Sequence, residues 1–127
     1  MDEQTPTVFI IDDDEGIRVG MSRLLSAAGW KVEAYGGAEA FLGRDPYLGA
    51  GCVLLDVHMP GLNGMQLHEE LLARGIGLPV VFLTGLGDVP TSVRAMKRGA
   101  VDFLTKPIES AELFAALEQA LQRHTVQ

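Results

Sequence analysis

Val8-Phe9-Ile10-Ile11-Asp12-Asp13-Asp14-Glu15 joins a four-residue apolar run to four consecutive acids, and the helical stripe Ile17, Met21, Leu24, Leu25 and Ala28 follows, ending at Gly29. An apolar run without alternation suits a strand buried on both faces of a parallel sheet. A 3.6-residue stripe stopped by glycine suits the helix that crosses back over such a sheet. Asp13 or Asp14 would cap that helix.

The same unit repeats along the chain. Further strands are expected at Lys31–Tyr35, Cys52–Leu55, Val80–Leu83 and Val101–Leu104, each spaced to leave room for a helix. Helical stripes are carried by Ala38–Leu42, by Leu67, Leu71 and Leu72, by Val93 and Met96 up to Gly99, and by Leu113, Leu117, Ala120 and Leu121 after a cap at Ser110. Right-handed crossovers then specify an α/β fold, an open five-stranded parallel sheet with helices on both faces, and the flavodoxin-like order 2-1-3-4-5 suits this length.

With 127 residues, 47% hydrophobic and 21% charged, the chain fits one packed domain, residues 1–127, with no repeat or interior linker. Residues 1–7 read as a lead, and residues 123–127 as the start of a linker or tail. No apolar run is long enough to span a bilayer and Met1-Asp2-Glu3-Gln4 lacks signal-peptide order, so no membrane role and a cytoplasmic location are expected. A formal charge of −7 opposes phosphate-backbone binding, so the domain is not expected to bind nucleic acid, and any DNA-reading part would lie beyond Gln127. Cys52 reads as a small buried hydrophobe and Trp30 as a packing residue.

Ligands of such sheets bind beyond the carboxyl ends of the strands, where strand order reverses. There the chain offers Asp12 and Asp13 after the first strand, Asp56 after the third, Thr84 after the fourth and Lys106 after the fifth. Singly, each has a plain structural use, as helix cap, turn opener, strand residue or solvated end. Jointly they gather three carboxylates, a hydroxyl and an ammonium at one sheet edge. Three close carboxylates repel unless a cation joins them or their pKa values rise. An all-oxygen set with water-filled positions suits Mg²⁺, with Mn²⁺ as its substitute, whereas zinc would want His58, His68 and His124 in ligand spacing, which they lack. Asp56, alone at the central strand, would be the nucleophile. Lys106 and Thr84 would neutralise and hydrogen-bond the transferred group. Gly61, Asn63 and Gly64 read as a turn with unusual backbone angles.

Ile10-Ile11-Asp12-Asp13-Asp14-Glu15, Leu55-Asp56-Val57-His58-Met59-Pro60-Gly61, Leu83-Thr84-Gly85 and Phe103-Leu104-Thr105-Lys106-Pro107 resemble the signature blocks of response regulator receiver domains, the CheY-like superfamily. Thr84-Gly85-Leu86-Gly87-Asp88-Val89-Pro90 and the segment Ala95–Phe103 resemble the FixJ-type subgroup, whose members usually carry a C-terminal helix-turn-helix DNA-binding domain. The resemblance implies that Asp56 takes phosphate from a sensor histidine kinase. It implies that Asp12, Asp13, Asp56 and the backbone carbonyl of His58 bind Mg²⁺, and that a cis peptide joins Lys106 to Pro107. Thr84 and Phe103 would be the switch pair, Phe103 otherwise reading as a core phenylalanine. The switch would control a phosphorylation-dependent homodimer through helix 4, strand 5 and helix 5, or an output domain, and so regulate transcription. The family's kinase-docking surface includes the exposed side of the first helix. His58 and Leu86 would influence how long the phosphate survives. Such a domain promotes its own phosphorylation and dephosphorylation without being a multiple-turnover enzyme. The rival readings are a haloacid dehalogenase type phosphatase, whose paired acids Asp12 and Asp14 imitate; a receiver-like module that is never phosphorylated; and a flavodoxin-like FMN carrier, whose ligand the acids would repel.

Overall fold

The computed structural model describes residues 6–44, 47, 49–85 and 89–125, and only the backbone of residues 89–92 and 123–125. Strands β1 (Thr7–Ile11), β2 (Lys31–Tyr35), β3 (Gly51–Asp56), β4 (Val80–Thr84) and β5 (Asp102–Thr105) alternate with helices α1 (Glu15–Ala27), α2 (Ala38–Leu42), α3 (Gly64–Ala73), α4 (Val89–Lys97) and α5 (Ser110–Thr125). The strands are all parallel, in the order β2-β1-β3-β4-β5.

Successive strand side chains point to opposite faces, and along β1, β3 and β4 both faces are buried. Phe9, Ile11, Val53, Leu55 and Phe82 pack with Phe41 of α2, Leu67 and Leu71 of α3 and Ala95 of α4. Val8, Ile10, Leu54, Val81 and Leu83 pack with Met21 and Leu25 of α1 and Leu113, Leu117 and Ala120 of α5. That two-sided burial is why the strand sequences show apolar runs rather than alternation. Cys52 is fully buried in the second layer, which pushes its thiol pKa up to about 12 and leaves it inert. Trp30 packs against the same layer.

Three expected stripes are narrower than the periodicity implied. Leu24, Leu72, Val93 and Met96 are exposed, as is Ala28, the C-cap residue of α1. A helix lying on a flat sheet buries a line about one side chain wide, such as Met21 and Leu25, so residues one step round the helix reach solvent. Ser110 is the first residue of α5 rather than its cap, and the carbonyl of Glu109 receives the N–H of Leu113. Strand β5 starts one residue later than expected, at Asp102, while β3 and β4 run on to include Asp56 and Thr84.

Candidate functional site

The acidic edge is built first by the end of β1. Asp12 follows the strand, fully buried, and its N–H donates to the carbonyl of Tyr35 at the end of β2 (3.1 Å). Asp12 Oδ1 accepts the N–H of Asp14 at 2.9 Å, and Asp14 Oδ1 caps α1 by accepting from the N–H of Ile17 at 3.2 Å. Of the two candidate caps, Asp14 is therefore the one used. A phosphatase of the haloacid dehalogenase type would need Asp14 as its second catalytic acid, whereas here Asp14 Oδ1 serves as the cap of α1.

Asp56 ends the central strand and is 5% exposed. The backbone behind it turns sharply: Gly61 has φ +74°, Asn63 caps α3, and Gly64 lies against the strand end. A Cβ on Gly64 would fall 2.2 Å from the Asp56 carbonyl oxygen, so only glycine lets α3 start this close to the site. Of the three turn residues, Gly61 alone has the unusual backbone angle; Asn63 is a cap and Gly64 a close approach. The capping box between Asn63 and Gln66 was legible as N-x-x-Q but was not read from the sequence.

Lys106 closes the ring. Its N–H donates to the Thr84 carbonyl at 2.8 Å, its peptide bond to Pro107 is cis, and its Nζ lies 3.0 Å from Asp12 Oδ2 and 3.5 Å from Asp56 Oδ1. Asp56 Oδ1 also accepts the N–H of His58 at 3.2 Å. Thr84 is buried at the end of β4, and its Oγ1 donates to the Gly85 carbonyl at 3.4 Å. The His58 side chain is exposed, and Leu86 lies outside the described residues, as do Gly87 and Asp88.

The charges do not cancel. Burial, then the charge of Asp12, pushes the Asp56 carboxyl up to about 6; the Lys106 ammonium and the His58 amide pull it back, and Asp13 adds to the rise. Burial works against the Lys106 ammonium, but Asp12 and then Asp56 outweigh it and hold its pKa above the ordinary value. Carboxylate oxygens of Asp12, Asp13 and Asp56 lie within 4.8 Å of one another, with Asp12 and Asp56 buried and Asp13 exposed. Buried Asp12 Oδ2 has no well-formed hydrogen bond, only the charge of Lys106 beside it. One ammonium against three carboxylates leaves an anionic, all-oxygen cluster open on the Asp13 side, a donor set that fits a hard dication.

Phe103 is 37% exposed on β5, level with buried Phe82 on β4, so it is not the core phenylalanine that its apolar context also allowed. Sequence reasoning missed Arg18, whose Nη1 donates to the Asp12 carbonyl at 2.8 Å. Arginine on the solvent side of an amphipathic helix carries no periodic signal.

Residues 8–118 match the family model described as the response regulator receiver domain. The chain is 44% identical over 127 residues to the transcriptional regulatory protein FixJ of Azorhizobium caulinodans, covering 100% of this chain and 60% of that protein. It is 37% identical over 122 residues to the response regulator protein TmoT of Ectopseudomonas mendocina, covering 96% and 56%. The crystal structure of FixJ-N superposes with a TM-score of 0.87 at 39% identity, covering 94% of this chain and 95% of that one. The chain thus spans between half and two thirds of the length of these curated relatives. No helix among the described residues is long and apolar enough to cross a membrane.

Proposed function

The chain belongs to the response regulator receiver domain family, a family of signalling domains, and from that premise we propose that Asp56 is its phosphoacceptor. The observation that carries the reading is the meeting of Asp12, Asp13 and Asp56 within 4.8 Å, with the Lys106 ammonium 3.0 Å from one buried acid and 3.5 Å from another. The donor would be the phosphohistidine of a sensor histidine kinase. An oxygen of ionised Asp56 attacks phosphorus, the P–N bond breaks, an acyl phosphate forms, and the histidine nitrogen leaves with the electron pair.

Asp12, Asp13, Asp56 and the backbone carbonyl of His58 would hold Mg²⁺, or Mn²⁺ in its place, which when bound neutralises charge on the phosphoryl oxygens. Lys106, with its Nζ 3.0 Å from Asp12 Oδ2 and 3.5 Å from Asp56 Oδ1, would supply a positive charge to the transferred group. Thr84, buried at the carboxyl end of β4, would turn its hydroxyl to the phosphoryl group. Phe103, half out of the sheet edge, would fold inward into the space that Thr84 leaves, changing the surface of α4, β5 and α5. Exposed Val93, Met96 and Phe103 make that surface a fitting homodimer contact. The same carboxylate and cation set would promote both gain and loss of phosphate, with the exposed His58 side chain and Leu86 affecting its lifetime.

Residues 1–127 act in this reading as one receiver domain whose regulator controls transcription through a separate DNA-binding part, since a domain of charge −7 is poorly suited to the phosphate backbone. The experiment is intact-mass measurement with acetyl phosphate. The chain is expected to gain the mass of one phosphoryl group with Mg²⁺, and none with EDTA or in Asp56→Asn. An unchanged mass with fresh donor and Mg²⁺ would overturn the reading.

A further inference from the structure

Arg18 stands in the first turns of α1, four residues after the Asp14 cap, where the helix dipole favours acids over cations. Long helical side chains lean toward the helix N-terminus, so an arginine there lies back over the loop that precedes its helix. Its Nη1 donates to the carbonyl oxygen of Asp12 at 2.8 Å. The same guanidinium lies against Gly36, where a Cβ would come within 3.2 Å of Nη1 and 3.7 Å of Cζ. Gly36 follows Tyr35, whose carbonyl takes the N–H of Asp12 at 3.1 Å.

Asp12 is therefore tied at both of its backbone groups, the N–H by the end of β2 and the C=O by α1. That C=O belongs to the peptide joining Asp12 to Asp13, from whose two ends successive carboxylates reach the acidic cluster. A net change in the backbone angles flanking this peptide would redirect one carboxylate relative to the other and to Asp56. We propose that Arg18 is a positioning residue for the divalent-cation site, fixing the Asp12–Asp13 peptide while Gly36 leaves room for its guanidinium. The proposal rests on the metal-binding reading above.

The test uses the full 127-residue chain and the variants Arg18→Met, which keeps the stem without a donor, and Arg18→Lys, which keeps charge with a single point of contact. Mn²⁺ affinity is read by electron paramagnetic resonance of the free ion. In EDTA, amide exchange by NMR is read at Asp14, whose N–H is bonded to Asp12 Oδ1, with Val53 and Leu54 in the central strand as controls. Arg18→Met is expected to bind Mn²⁺ about tenfold more weakly, the usual effect of losing a group that orients a ligand, and Arg18→Lys to fall between it and the parent chain. The Asp14 amide is expected to exchange faster in Arg18→Met while the two controls are unchanged, which a general loss of stability would not produce. Parent-like Mn²⁺ affinity in Arg18→Met, or in Arg18→Lys should the first variant not fold, overturns this proposal alone. Failure of the parent chain to bind Mn²⁺ overturns the metal reading and this proposal with it.

Discussion

Asp56 is held with its proton bound more tightly than in an unfolded chain, because it is buried and faces Asp12. Its folded pKa, about 6, lies above the ordinary value of 3.8, so the folded metal-free domain binds more protons than the unfolded one between those limits. Stability in EDTA should therefore fall as pH rises from about 3.8 to about 6 and stay lower above it. Asp56→Asn removes that titration and one of three clustered charges, and should unfold at higher denaturant at pH 7 in EDTA, by on the order of 1 kcal/mol. Denaturant titrations of both proteins across that pH range check this; a parent chain that gains stability over the window would contradict it. These acids were legible in the sequence because each stands at the carboxyl end of a strand. Arg18 was not, since its partner is a backbone carbonyl, which no side-chain pattern records.

The turn between β3 and α3 is where element geometry bears on the site. A Cβ on Gly64 would meet the Asp56 carbonyl at 2.2 Å and Val57 Cα at 2.9 Å, backbone atoms that cannot rotate aside. Gly64→Ala should therefore push the start of α3 outward, cost about 1–3 kcal/mol, and slow phosphorylation at Asp56. Thermal melting and a mass time course would show both effects; an unaltered melting temperature would mean that the contact is not tight. The three inner strands were readable in advance because burial on both faces admits mainly apolar runs, as in Val80–Leu83. The helices were less so: hydropathy marks Leu24 and Met96 as it marks Leu25, and only the line of contact with the sheet separates exposed from buried.

Across the whole molecule, the two dry layers fix the sheet and leave the change of state to its rim. Val93, Met96 and Phe103 are 47%, 40% and 37% exposed on α4 and on β5, the strand that Lys106 follows. Beryllofluoride with Mg²⁺ should shift the chain toward a dimer in sedimentation velocity, and Met96→Glu, placing an acid in that apolar contact, should weaken the dimer about tenfold without preventing phosphorylation. A dimer of undiminished strength in the variant would put the contact elsewhere. The central claim is that Asp56, among the three gathered carboxylates, takes the phosphoryl group. Borohydride reduction after acetyl phosphate and Mg²⁺, followed by tandem mass spectrometry, converts an acyl phosphate to an alcohol at the modified residue. Reduction at Asp56 alone is predicted, and reduction at Asp12 or Asp13, or at none of the three, would contradict it.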